Sequence, residues 1–238
     1  MRSVPPVVFV SLLGLAACAP AGSSAYVSAN VPLNTDCTIN ETQAISAGLW
    51  DALPRGTDKQ SCIRPYRMSL VINSNLIANT NPAIGRVEPN ALLVKYADVR
   101  LMDKSEATIG FRARNNTVPP NPYRVYTSAI IKPSMGDEPS TGWVEVDAIP
   151  SLYADQIGEA YEGDSILVEL QLAGETTGNV EVDFPPFLYP LAICRDCKSV
   201  CLSDPQFAGD PAALTELNEG RCNDNRAQDD RTCVDSGC

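Results

Sequence analysis

The chain contains nine cysteines and no histidine, and these two facts limit its chemistry more than any other feature of its 238 residues. Ser-His-Asp and Cys-His catalysis need an imidazole base, and most catalytic zinc sites need an imidazole ligand. Carboxylate chemistry, Ser-Lys dyads and cysteine redox reactions stay open. We therefore expect a protein with no catalytic residues, no metal and no cofactor. An enzyme that uses carboxylate or Ser-Lys chemistry is the alternative.

The cysteines fall into two groups along the chain. Cys37 and Cys62 lie in the N-terminal third, and we expect them to form a disulfide with each other. The region 194–238 holds six more: Cys194, Cys197, Cys201, Cys222, Cys233 and Cys238. Its C-x2-C-x3-C spacing could bind zinc or an iron–sulfur cluster, and its C-x-x-C could be a redox pair. Because there is no histidine, no second C-x2-C pair and no βαβ pattern, we expect disulfides among these six instead.

Several other sets of side chains could carry chemistry. The candidates are paired carboxylates (Asp137-Glu138; Glu145 with Asp147), an arginine pair (Arg112, Arg114), an aromatic sugar platform (Trp143, Tyr123, Tyr126) and an oxygen-rich calcium loop (Asn223-Asp224-Asn225, Asp229-Asp230). Residues two apart in a strand share one face. Glu145 with Asp147, and Arg112 with Arg114, are therefore each typical of a solvated strand face. Core packing is the simpler interpretation of the aromatics. The acidic tail lacks the EF-hand pattern and indicates a charged loop.

The N-terminus carries the pattern of an export signal. One early positive charge, Arg2, precedes an apolar run from Val7 to Leu15, and small residues follow. The stretch Leu15-Ala16-Ala17-Cys18 resembles the lipobox of bacterial lipoproteins. The resemblance implies that residues 1–17 are removed and that Cys18 becomes a lipidated N-terminus, with palmitate among its acyl chains. An ordinary signal peptide, cut further along with Cys18 lost, is the alternative.

Lipidation of Cys18 would also explain the odd number of cysteines. It leaves eight, the even number that four disulfides need, and an oxidising envelope permits them. By the same resemblance, Ala19 after Cys18 favours sorting to the outer membrane. The apolar run is shorter than the roughly 20 residues of a membrane-spanning helix, and no later run is longer. We therefore expect a protein of the cell envelope that is held by its lipid.

The charge of the chain bounds its partners. Removal of residues 1–17 takes Arg2 away and leaves a net charge of 17 − 29 = −12. Nucleic acids and anionic lipid surfaces repel such a chain, so we discount both. The expected partners are the membrane, through the lipid, and another envelope protein or surface component. The sequence thus favours an anchored binding, scaffolding or accessory module.

Period-two alternation of apolar and polar residues predicts the fold. In the clearest run, Ile166, Val168, Leu170 and Leu172 share one face and polar residues share the other. Turn signals separate about seven such runs. We therefore expect a mainly β fold: an antiparallel β-sandwich of the Ig-like or fibronectin-like class with a disulfide-stapled C-terminal tail.

The organisation expected along the chain has four parts. These are a signal peptide (1–17), a lipidated tether (18–36), a β-sandwich domain (37–193) and a cysteine-rich tail packed on it (194–238). Within the domain, the pattern predicts four local features: a bulge near Ala97-Asp98, a strand over 109–113, a short helix that buries Tyr153, Ile157, Ala160 and Tyr161, and an edge segment around Pro190.

Overall fold

A computed structural model of the protein describes residues 23–31, 44–52, 65–81, 86–88, 90–113, 116–136 and 138–194. The structure confirms the predicted mainly β class, with two sheets of which one curls into a half-barrel. The strands of this part are β1 (Ala25–Asn30), β2 (Gly48–Asp51), β3 (Tyr66–Ser74), β4 (Asn79–Asn81), β5 (Arg86–Glu88), β6 (Leu92–Met102), β7 (Tyr123–Ile131), β8 (Ser140–Ile149), β9 (Ser165–Thr176), β10 (Glu181–Asp183) and β11 (Phe187–Cys194). A 3-10 turn (Ser151–Tyr153) leads into a short helix, α1 (Ala154–Tyr161).

The strands form two main sheets and one small hairpin. The smaller sheet has the order β1-β3-β8, and the larger has the order β2-β11-β9-β6-β7, with β10 also paired to β9. The hairpin consists of β4 and β5. Strands β2 and β11 are parallel, whereas the other strand pairs are antiparallel.

Both sheets contribute to one apolar core. Strand β9 shows why these residues form strands: Ile166, Val168, Leu170 and Leu172 are each at most 1% exposed, and Glu169 lies on the opposite face. The core also includes residues of β3 and β8 from the smaller sheet. Its largest buried side chains are Trp50, Tyr66, Tyr153, Tyr189 and Phe184. Burial of these apolar side chains is the main contribution to the stability of the folded state.

The two sheets meet where β7 lies beside β8. The hydroxyl of Thr127 donates a hydrogen bond to the carbonyl of Glu145 at 2.6 Å. The buried hydroxyl of Tyr123 donates to the carbonyl of Ala148, also at 2.6 Å. Side chains therefore bond directly to the backbone of the neighbouring sheet at this corner.

The helix forms where the sequence predicts it, but its buried face differs from the prediction. Tyr153 and Ile157 are buried as expected, whereas Ala160 is exposed and Tyr161 only half-buried. Tyr161 ends the helix and packs against the edge of the core, so the last turn is only partly covered. Tyr153 is fixed from both sides, because its ring stacks on Tyr123 at 4.7 Å and its hydroxyl donates to the carbonyl of Pro120.

The strand predicted over 109–113 does not form. Instead, the backbone N–H of Arg112 donates to the side-chain oxygen of Gln156, and the Gln156 amide donates back to the carbonyl of Arg112. A side-chain amide on α1 thus replaces the neighbouring strand. Burial of Ile109 and partial burial of Phe111 explain the alternation in the sequence.

Two further expectations need correction. The tether predicted over 18–36 does not extend through residues 25–30, because β1 pairs with β3 there and Asn30 accepts a hydrogen bond from the backbone of Ser69. The segment around Pro190 is not an edge, since β11 lies between β9 and β2. Proline has no backbone N–H to donate to a neighbouring strand. Pairing with β2 begins only at Leu191, so Pro190 costs no hydrogen bond to β2.

Candidate binding surface

A bulge in β6 shapes the outer face of the larger sheet. Against β9, Val94 pairs with Gly174 and Tyr96 with Ala173, so Lys95 is the extra residue of β6. Against β7 the register also shifts here, but the extra residue lies on β7, between Tyr126 and Ala129. Val94 and Ala97 are buried, while Lys95 is exposed and Tyr96 half-buried. The predicted bulge therefore exists, but it lies at Lys95 rather than near Ala97-Asp98. It places Lys95 and Tyr96 together on the outer face.

A glycine on β9 makes the bulge possible. Gly174 pairs with Val94, and a Cβ added at Gly174 would lie 2.3 Å from the carbonyl oxygen of Leu93 and 3.2 Å from the Cα of Val94. Both neighbours are backbone atoms, so neither can rotate away as a side chain can. Only glycine permits this approach of the two strands.

Two cross-strand pairs define the surface next to the bulge. Tyr96 lies directly opposite Tyr126, and Asp98 lies directly opposite Arg124. Arg124 donates hydrogen bonds from Nε and Nη2 to the two carboxylate oxygens of Asp98, at 2.7 and 2.9 Å. Its guanidinium carbon also lies 3.6 Å from the ring centre of Tyr96, in cation–π geometry. We call Tyr96, Asp98, Arg124 and Tyr126 the Tyr–Arg surface.

The electrostatics of the surface keep its ion pair charged. The hydrogen bonds from Arg124 hold the pKa of Asp98 below its usual value; burial partly opposes them, and the positive charge of Arg124 lowers the pKa further by a smaller amount. The same carboxylate raises the pKa of the Arg124 guanidinium. Tyr126 is 83% exposed, so this side chain is available to a partner.

Further ion pairs surround the Tyr–Arg surface. Arg100 donates from Nε and Nη2 to both carboxylate oxygens of Glu169, at 3.0 and 2.7 Å. Lys95 lies 2.5 Å from Glu175. With the Arg124 pair, three cations match three carboxylates on β6, β7 and β9. On β10, exposed Glu181 and Asp183 lie opposite Glu175 and Ala173 of the same face and add negative charge beside these ion pairs.

The three aromatics predicted as a sugar platform are not brought together. Tyr123 is buried in the core, and burial raises its pKa well above the usual value. Trp143 is 40% exposed and lies on the smaller sheet, opposite Val71. Of the three, Tyr126 alone belongs to the Tyr–Arg surface.

The predicted charged pairs have structural partners where the structure describes them. Asp147 accepts a hydrogen bond from Nε of Arg67 at 2.5 Å, and Glu145 lies on the same face of β8. The backbone of Arg112 bonds to α1, as described above. Glu138 is exposed, and its backbone carbonyl accepts a hydrogen bond from the hydroxyl of Ser134. Asp137 and Arg114 lie outside the described residues.

One cysteine lies within the described residues. Cys194 ends β11 and is disulfide-bonded, with its sulfur 3.4 Å from the carbonyl oxygen of Trp50. Its partner therefore lies outside the described residues, as do all the other cysteines: Cys18, Cys37, Cys62, Cys197, Cys201, Cys222, Cys233 and Cys238. The disulfide pairings, the lipidation of Cys18 and the oxygen-rich stretch of the tail stay predictions.

The described residues offer neither a metal-binding cluster nor a membrane-spanning helix as a further candidate site. Within the described ranges, no group of three or more acidic, cysteine or histidine side chains could hold a metal ion. No helix in that same part of the chain is long and apolar enough to cross a membrane. The chain matches no protein-family model, and comparison with curated proteins finds no similar sequence.

Proposed function

We propose that this protein is an envelope lipoprotein, anchored through Cys18 in the outer membrane, that acts as a non-catalytic binding or scaffolding module. The Tyr–Arg surface is its docking site, and another envelope protein is its partner. The observation that carries this proposal is the exposed Tyr126 beside an arginine that is held by both Asp98 and Tyr96.

The composition of the surface suits recognition of a protein. Tyrosine and arginine are enriched among the residues that contribute most to protein–protein affinity. Two contacts hold Arg124 and a cross-strand neighbour flanks Tyr126, so both lose little side-chain freedom on binding. The sheet beneath them is rigid, since β6 pairs with a strand on each side.

The described carboxylates favour binding over hydrolysis. A general acid near neutral pH needs a raised pKa. Hydrogen bonds instead lower the pKa of Asp98, Asp103 and Asp164, from Arg124, Ser105 and Lys104 respectively. The pairing of Asp147 with Arg67 likewise supports a solvated ion pair rather than a catalytic one.

The proposal also includes a more specific class of fold. We infer an antiparallel β-sandwich related to the Ig-like or fibronectin-like class, with the tail 194–238 stapled to it by disulfides. The core shared by both sheets supports the sandwich, and the disulfide of Cys194 at the end of β11 supports a covalent link at that point.

Docking can be tested by chemical cross-linking of intact cells, followed by detergent extraction without reductant. We expect one abundant envelope protein to co-purify, and its yield to fall about tenfold or more in an Arg124→Gln/Tyr126→Ser variant. Leu188→Ser is the matched control, because Leu188 is 53% exposed and lies on β11 of the same sheet, away from Tyr126. Equal yields from all three proteins would contradict docking at this surface.

Anchoring is tested separately by mass spectrometry of the N-terminal peptide from purified membranes. We expect a peptide that begins at Cys18 and carries acyl chains. A mature N-terminus beyond Cys18, with no acyl group, would contradict the lipid anchor and leave the docking test unaffected.

A further inference from the structure

Four large apolar side chains are exposed at one end of the domain. Ile77 is 64% exposed, Ile130 68%, Met135 84% and Val180 63%. Single exposed apolar residues are ordinary on protein surfaces, but several at one place indicate contact with something apolar.

Backbone and side-chain contacts place these four residues at the same end of the domain. Ile77 forms a bridge with Ser134, the neighbour of Met135, and its carbonyl accepts a hydrogen bond from Asn90. Asn90 precedes β6, the strand whose Leu93 pairs with Ile130. Val180 joins them through the β9–β10 turn, which bonds to the backbone at residue 91.

The loop that presents Met135 is held in place. The hydroxyl of Ser134, which is 5% exposed, bonds to the carbonyls of Gly136 and Glu138 at 2.8 and 2.5 Å. The backbone N–H of Ser134 also donates to the carbonyl of Leu76. The most exposed methionine of the described chain is therefore projected by a closed turn rather than by a loose segment.

The N-terminal part of the chain enters at this same end. The side-chain amide of Asn75 donates to the carbonyl of Ser23, and its backbone N–H donates to that of Ser24. Asn75 is two residues before Ile77. Cys18 is five residues before Ser23, and a chain spans at most about 3.6 Å per residue, so the two lie within about 18 Å of each other.

We propose that this end of the domain faces the bilayer, with Ile77 and Met135 in contact with the lipid headgroup region. The inference rests on the lipid anchor at Cys18 put forward above. Strand β6 has 11 residues, so the opposite end, near Val118 and Leu152, lies about 33 Å away at about 3.3 Å per residue. The Tyr–Arg surface then stands on the side of the domain, about 13–20 Å along β6 from its Leu92 end, where a membrane-bound partner can reach it.

The test uses the full mature protein in vesicles of zwitterionic phosphatidylethanolamine and phosphatidylcholine, which do not repel an acidic chain, with a photoactivatable diazirine phospholipid added. Labelled residues are located by mass spectrometry, which also reports the acyl chains on Cys18. We expect labels within 75–78 and 132–136 at about tenfold the yield found around Val118 and Leu152. An Ile77→Ser/Met135→Ser variant should lower that labelling about fivefold or more, whereas Val118→Ser/Leu152→Ser leaves it unchanged.

The outcomes separate this inference from the anchor on which it rests. Acylated Cys18 with labels at the far end, evenly spread labels or no label on the domain overturns the orientation alone. Cross-links that join two copies at Met135 also overturn it, because a second copy then covers this end. Unmodified Cys18 with no label overturns both proposals, and unmodified Cys18 with labels at 75–78 and 132–136 overturns only the anchor.

Discussion

Gly174→Ala tests how the sheet builds the Tyr–Arg surface. The added methyl would lie 2.3 Å from the carbonyl oxygen of Leu93, about 1 Å inside the ~3.3 Å at which carbon and oxygen normally meet. Strands β6 and β9 must therefore separate locally at the bulge. We expect the variant to fold with lower stability and a displaced Tyr96.

The magnitude follows from three contributions. Overpacking of a fixed site costs about 1–3 kcal/mol, and a weakened ladder hydrogen bond costs about 1 kcal/mol. Alanine lowers the conformational entropy of the unfolded chain relative to glycine, which stabilises the folded state by about 0.4–1 kcal/mol and offsets part of this cost. The net loss in the free energy of unfolding is about 1–3.5 kcal/mol, which lowers Tm by about 2–14 °C for a domain of this size.

The assay is thermal unfolding of the oxidised protein, followed by circular dichroism. Gly110→Ala is the matched control, because a Cβ there meets nothing within 4 Å. Its Tm should stay close to that of the wild type. If Gly174→Ala melts with the control, within about 2 °C of wild type, the close approach at the bulge is wrong.

Two further predictions concern buried and paired groups. Tyr123→Phe leaves the buried carbonyl of Ala148 without its hydrogen-bond donor and should lower the free energy of unfolding in urea by about 1–2 kcal/mol. Tyr126→Phe, on an exposed side chain, should not change it measurably, and equal effects of the two variants would refute the buried hydrogen bond. Asp98 should titrate below its usual pKa of 3.8 when followed by NMR. Its contribution to stability is therefore present above pH 3.8 and is lost as the pH falls through the lowered pKa. Arg124→Gln should raise the pKa of Asp98, and an unchanged value would refute the pairing.

Sequence alone predicts the strands whose alternation is strict. In β9, Ile166, Val168, Leu170 and Leu172 all face the core, because a strand with one buried and one solvent-facing side alternates with a period of two. The helix around Ile157 is also predicted, since its apolar spacing is helical. In contrast, β1 and β2 are short and contain small or polar residues, and their partners β3 and β11 are distant in sequence. Tertiary pairing rather than local pattern determines such strands.

The Tyr–Arg surface is less predictable than the fold. An inward-facing tyrosine fits the alternation of Leu92 and Val94, which places the expected bulge after Tyr96. The structure turns Tyr96 outward, where Arg124 covers its ring. The ion pair with Asp98 depends on the register between β6 and β7, because Arg124 is 26 residues from Asp98 in the chain. Gly174, a glycine within β9, is the one local signal of the close approach.

Site-specific photo-cross-linking at Ser128 in intact cells tests the central claim most directly. Ser128 is exposed on β7 and lies two residues from Tyr126 on the same face. A photoreactive residue there should give one discrete adduct with an envelope protein, and Arg124→Gln should abolish it. The same residue placed at Thr141, exposed on the smaller sheet, should give no such adduct. No adduct from Ser128, or the same adduct from both positions, would contradict docking through the Tyr–Arg surface.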